Sequence, residues 1–247
     1  MLKTYEPTYK LKPIAVNIWI VDGDVIKMNF GPIKAPFTTR MTIVKLKSGK
    51  LWIHSPIDAT PALFEDVDKL GQVEYLISPN KLHYAYIEKW QKQYPAALTF
   101  ASPSVEKRAK KQGYSIKFHE DLQNSAPDDW ANEIDQLIFV GSTVVQEVVF
   151  FHKASKTLIL TDLIENFEPE KVDSGFWRFV MKCGCITAPN GSTPVDFRST
   201  FTNRKVARKC LEKILAWEPE KIIIAHGKWF ESDGVNELER AFKWLLK

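Results

Sequence analysis

The sequence has no apolar run approaching the roughly 18 residues a membrane span requires, and its opening, MLKTYEPTYKLKPIAV, lacks the continuous apolar stretch of a secretory signal. A cytoplasmic protein with no membrane partner is the expectation. Cysteine is scarce as well: three in 247 residues, an odd number that argues for reduced thiols rather than a disulfide framework. An excess of one charge is also missing. With 34 basic against 30 acidic residues and a net charge of +4, the balance is too even to imply a nucleic-acid partner or an anionic surface. The one dense basic run, Lys107, Arg108, Lys110 and Lys111, reads as the solvated face of a short helix. There is no solenoid repeat, no low-complexity run, no Walker or GxGxxG loop, and no sequence context for a Ser-His-Asp triad.

What is present is apolar bulk. At 45% apolar and 12% aromatic content, the chain can bury a substantial core and is read as one domain over 1–247. Thr157 to Asp162, TLILTD, predicts a buried strand closed by a carboxylate. Val73 to Ser78 and Lys221 to Ala225 repeat the design, followed by SPNKLH and by His226-Gly227. Strand ends in α/β proteins are where a rigid scaffold meets solvent, so His83, Asp162 and His226 stand out.

In chain order, Pro13 to Asp22 and Val25 to Phe30 predict a hairpin, and Gly31 to Arg40, with Pro32 and Pro36, predicts a loop. Met41 to Leu46 and Lys50 to Ile53 flank Ser48-Gly49 as a second hairpin that ends at His54. Helices are expected over Asp58 to Leu70 and over Leu82 to Gln93, the latter with His83 in its first turn. Short strands follow at Leu98 to Ala101, Tyr114 to Phe118 and Glu133 to Phe139. Val144 to His152, a four-residue turn and TLILTD make a hairpin in which His152 pairs with Thr157 and Glu147 falls beside Asp162. Residues 163–203 read as a lid or excursion. Asn203 to Trp217 then predicts a helix burying Val206, Cys210, Leu211 and Ile214, and Leu238 to Leu246 a closing helix. The order fits two stacked mixed sheets flanked by helices, an α/β (α+β) four-layer αββα sandwich.

These segments together resemble the metallo-β-lactamase superfamily over nearly the whole chain. TIVKLKSGKLWIHSPI, SPNKLH and LILTD are most similar to a branch described as a domain of unknown function. The resemblance places Ser78, Asn80 and Leu82 where ligand positions of the family's His-x-His-x-Asp-His motif stand, with His83 as its last His, and Ser142 where a second motif has His. Asp162 and His226 match the bridging Asp and the final His. It therefore implies that the ligands exclusive to one metal position are lost, while His83, Asp162 and His226 remain for the other. His54 stands where the family has an Asp that supports the metal loop.

Two His and one carboxylate with an open position describe catalytic zinc, and also non-haem iron, so the cofactor expectation is one divalent metal, zinc first, with iron or manganese as alternatives. Glu147 is the catalytic candidate, as general base, with fourth ligand or support for the ligands as its other roles. The functional expectation is a metal-dependent hydrolase of a small ester, thioester, amide or phosphoester. Its alternative is an inert relative, without metal, that binds a small-molecule ligand or a partner. His119 and His152 read as surface and structural residues. Cys183-Gly184-Cys185 lacks the second pair a zinc site needs, and Phe176, Trp177 and Phe179 read as core or as part of a lid.

Overall fold

The computed structural model describes residues 1–30, 33–144 and 146–246. Gly31 and Pro32 of the expected loop, and Val145 near the start of the expected Val144 to His152 strand, lie outside them. β1 (Lys12–Ala15) and β2 (Ile18–Asp22) are antiparallel neighbours rather than one strand. The chain reverses at Asn17, whose φ of 62° is one that Asn tolerates better than most side chains.

β3 (Ile26–Phe30) does not return on β2. It pairs with β4 (Ile33–Phe37) in a separate two-stranded ribbon, which replaces part of the expected loop. Pro36 is compatible with this because a two-stranded ribbon has only edges, where a missing N–H can face outward. β2 pairs instead with β5 (Arg40–Lys45), and β5 with β6 (Lys50–His54) across the Ser48-Gly49 turn, where Gly49 has φ of 82°.

From β6 the first sheet continues in parallel. α1 (Pro61–Asp68), capped by the Thr60 side chain, leads to β7 (Gln72–Ser78), and α2 (Ile87–Gln93) leads to β8 (Leu98–Ala101). α3 (Val105–Lys111) precedes β9 (Glu120–Asp121); Tyr114 to Phe118 is not a strand. The seven strands lie in the order β1-β2-β5-β6-β7-β8-β9.

The second sheet orders β10 (Ile134–Phe139), β11 (Glu147–His152), β12 (Thr157–Ile159) and β13 (Lys221–Ile223), the last pair parallel. The hairpin register is the expected one, with His152 opposite Thr157. Between β12 and β13 the chain forms α4 (Gly175–Cys183), α5 (Val195–Ser199) and α6 (Arg204–Leu215), and it closes with α7 (Gly234–Ala241) and α8 (Lys243–Leu246).

Alternation along the strands builds the layers. Ile159 and Ile223 point inward with Phe150 against Ile18, Trp52, Ile77 and Phe100 of the first sheet. Leu158 and Ile222 point outward onto Leu211, Ile214 and Leu238 of the helices. On the opposite side, Leu63, Val67, Ile87 and Trp90 cover Ile43, Ile53 and Leu76. The result is the expected four-layer αββα sandwich, in which central strands buried on both faces explain the near-continuous apolar runs. In α6, Ala207 rather than Val206 faces the core, and Val206 is exposed.

Candidate metal centre

The C-terminal ends of β6, β7, β12 and β13 deliver the site. His83 follows β7 but sits in the turn that precedes α2, not in the helix as expected. Asp162 follows β12, and His226 follows β13. Nε2 of His83 lies 3.2 Å and Nε2 of His226 3.1 Å from the same Asp162 Oδ1. Among the described residues these three form the one group of His, Cys, Asp or Glu side chains arranged to hold a metal, with ligand atoms within 4.8 Å of one another.

Both rings are held from behind. His226 Nδ1 is 2.6 Å from the carbonyl of Thr38. A carbonyl only accepts, so this nitrogen carries a proton and the Nε2 edge is turned toward Asp162. His83 Nδ1 is 2.6 Å from Ser55 Oγ. Between each Nε2 and the carboxylate oxygen stands either a proton, as an N–H donating to Oδ1, or a bound cation in its place. Tetrahedral ligands at the usual zinc distance stand about 3.4 Å apart, close to the separations seen, so the donor set fits a divalent ion.

Electrostatics agree. Burial alone would raise the Asp162 carboxyl, but the imidazoles, His83 first, hold it well below the ordinary carboxylate range. Burial pushes the His83 ring down, and the Asp162 carboxylate outweighs it, so the ring is held above its ordinary value.

Glu147, fully buried, sits where the hairpin register puts it. Its Oε1 accepts from the Thr161 N–H at 2.7 Å and its Oε2 from the Asp162 N–H at 2.8 Å. Burial, then Asp162, raises its carboxyl above the ordinary range while those donors oppose the shift. Its oxygens are thus engaged with the backbone that presents Asp162.

The substituted positions are filled by hydrogen bonds of their own. Asn80 Nδ2 donates to Asp162 Oδ2 at 2.6 Å and to Thr161 Oγ1 at 2.8 Å, while Oδ1 accepts from the N–H groups of Leu82 and His83 at 2.8 and 3.2 Å. Asn80 thereby ties the turn of His83 to the loop of Asp162. Ser78 Oγ donates to the Asn80 carbonyl at 3.4 Å, and Ser142 Oγ lies 2.6 Å from Thr200 Oγ1.

Arg40, which the sequence did not single out, supports the third ligand. Its Nη1 donates to the carbonyls of Ile224 and Gly227 at 2.7 and 2.9 Å, on either side of His226, and its Nη2 pairs with buried Asp22 at 2.7 Å. His54 is buried against Trp52 and Phe150, with Nε2 unpartnered among the described residues and its pKa pushed to about 3 by burial. His152 bonds Ser155, and exposed His119 accepts from Thr99 N–H. Cys183 and Cys185 are free, exposed thiols.

A cavity of about 320 Å³ opens on the site, with Asp162 and His226 at one end. Phe37 of the β3-β4 ribbon stands edge-on to the His226 ring, centroids 5.1 Å apart. Trp177 and Met181 of α4 and Phe197 of α5 supply further wall. Glu165 also lines it, only 4% exposed, and its carboxyl has no hydrogen-bond partner among the described residues. Burial pushes that carboxyl up to about 8, with His226 opposing. Sequence reasoning missed Glu165 because nothing in LIENF distinguishes a cavity-facing acid from a wet one. No helix among the described residues is long and apolar enough to cross a membrane.

Comparison with solved structures places the fold. The metallo-β-lactamase DIM-1 exposed to ceftazidime aligns with a TM-score of 0.64 at 17% identity, over 97% of each chain. A metallo-β-lactamase from Pontibacter korlensis aligns at 0.63 and 10% identity, over 96% of this chain and 99% of its own. FIM-1 from Pseudomonas aeruginosa, in its mono-zinc form, aligns at 0.62 and 12% identity, over 96% of each. No curated protein matches the sequence. The family model described as "Domain of unknown function (DUF4336)" matches residues 18–174, more than half the chain. That segment carries β2 to β12 and the His83-Asp162 pair, and the chain belongs to the DUF4336 family and has the metallo-β-lactamase fold.

Proposed function

We propose that His83, Asp162 and His226 bind one divalent cation, zinc before iron or manganese, and that the protein is a hydrolase of a small ester, thioester, amide or phosphoester. The observation that carries this reading is the convergence of two imidazole Nε2 atoms on one carboxylate oxygen at 3.1 and 3.2 Å, with His226 fixed in the metal-binding tautomer. That FIM-1 was crystallised with a single zinc gives a precedent for one ion on this fold. A divalent ion held here would supply Lewis acidity, polarising a carbonyl or phosphoryl oxygen and acidifying water.

The chain's own residues do the rest. Thr38 and Ser55 orient the two rings, and Arg40 fixes the backbone around His226. Glu147 and Asn80 hold Asp162, from its backbone and its Oδ2, so that Oδ1 points inward. On this reading Glu147 is a positioning residue rather than the base. The apolar cavity excludes water from one side of the bound substrate, which strengthens electrostatic interactions there.

The test is elemental analysis of the untagged protein beside a His83→Ala/His226→Ala variant, followed by a chromogenic ester panel. About one ion per chain in the wild type, none in the variant, and turnover lost on chelation are expected. A folded wild type that takes up no metal on reconstitution would overturn the proposal in favour of an inert ligand-binding protein.

A further inference from the structure

The cavity has a chemical bias that the metal ligands do not dictate. Its aromatic wall is built from Phe37, Phe167, Trp177 and Phe197, and its polar groups, apart from His226 and the Trp177 indole, are the carboxyls of Asp162, Glu165 and Asp196. Among the described residues no Lys or Arg lines it, although the chain as a whole carries a net charge of +4. Basic side chains nearby are directed elsewhere: Arg198 donates to Thr193 and Ser192, and Arg178 to the Asp173 carbonyl.

A metal ion would neutralise Asp162. It leaves Glu165 inside and exposed Asp196 at the rim without a cationic partner. A buried carboxyl that faces an apolar space and accepts no hydrogen bond is costly unless a ligand supplies the donor. Aromatic faces around a carboxylate are also the surroundings in which an ammonium is best held. An anionic ligand would find no cationic side chain in the lining and would meet Asp196 at the mouth, so phosphoesters and carboxylates fit poorly. The volume, about 320 Å³, is at the small end of the roughly 300–1,000 Å³ typical of small-molecule pockets.

We infer that this cavity is a recognition pocket for a lipophilic amine, with the ammonium on Glu165 and the apolar body against Phe37, Phe167, Trp177 and Phe197. Taken with the proposed hydrolase, on which this last step rests, it makes the substrate an amine-bearing ester or amide with an apolar chain. Glu165 is then the specificity-determining residue, and Asp196 draws the cation to the mouth.

Calorimetry of metal-chelated protein with octylamine, octanol and octanoate tests the pocket without a metal that could take the amine nitrogen. Octylammonium should bind at least about tenfold more tightly than octanol, the range for a hydrogen bond to a charged group, and octanoate should bind most weakly. Glu165→Gln should remove most of the amine preference while octanol affinity stays within about twofold. Should that variant fail to fold, Val180→Lys, on the exposed edge of the lining, gives the reciprocal test by shifting preference toward octanoate. Equal binding of amine and carboxylate, no binding of any of the three, or a preference unaltered in both variants would overturn the inference. Amine binding in a protein that never takes up metal would keep the pocket and sink the hydrolase; metal uptake with no amine preference would do the reverse.

Discussion

Asn80 and His83 belong to one turn, three residues apart, yet their side chains are used differently. The amide of Asn80 is engaged on both sides, with Asp162, Thr161, Leu82 and His83. The inward nitrogen of His83 has one partner among the described residues, the Asp162 carboxylate. The same contrast separates Ser142, bonded to Thr200, from His226, whose Nε2 faces that same oxygen. Where the resemblance implies lost ligands, Ser78, Asn80 and Ser142 make hydrogen bonds of their own, and apolar Leu82 lines the cavity. Where ligands remain, two imidazole nitrogens converge on one carboxylate oxygen, a place a proton or a cation can fill. The substituted side chains of Asn80 and Ser142 are thereby satisfied without an ion.

The contrast breaks most clearly at the retained side. Zinc at roughly 100-fold over its Kd should raise the wild-type Tm by about 5–10 °C, measured by calorimetry, and leave His83→Ala/His226→Ala unmoved. An equal shift in both would place the ion elsewhere. Next in size is Arg40→Met, which removes one of the two cations on buried Asp22, Lys12 remaining at 2.8 Å, and leaves two carbonyls beside His226 without donors. Urea unfolding should show a loss of about 3–5 kcal/mol, against under about 1 kcal/mol if Arg40 is only a solvated neighbour.

Asn80→Ala removes the amide that joins Asp162 to the turn of His83, at an expected cost of about 1–3 kcal/mol together with weaker zinc binding by titration. Unchanged zinc affinity would show that the filled positions do not support the retained ones. Ser142→Ala is the smallest change. Loss of a hydrogen bond to Thr200 should cost about 0.5–1.5 kcal/mol and leave zinc affinity alone, which would sharpen the distinction between a filler and a support.

Much of this was legible in the sequence where local rules act. A four-residue turn fixed the pairing of His152 with Thr157 and hence put Glu147 at Asp162. Runs such as TLIL, apolar on both faces, announced strands between two layers. Failures came where distant partners decide. β2 chose β5 over the adjacent β3, and neither Gly23-Asp24 nor the prolines carry information about that. His83 left the helix because Asn80 Oδ1 captures its N–H and that of Leu82, a competition between side chain and backbone that periodicity does not register. Arg40 went unnoticed because its partners, Ile224 and Gly227, are 184 and 187 residues away. Glu165 gave no signal because an acid among Leu, Ile and Phe reads the same whether it faces water or a cavity.

Gly227 has φ of 94°, and a side chain there would collide with the Asn166 carbonyl. Around that contact the Asn166 N–H donates to the His226 carbonyl and the Lys228 N–H to the Asn166 carbonyl. The strand end that carries the last ligand is thus laced to the segment holding Glu165 and Phe167, one residue either side of Asn166. Selection for a different substrate, acting on those two wall residues, would work directly beside the peptide that holds His226. Changes in the cavity wall and in the placement of His226 would therefore tend to be inherited together.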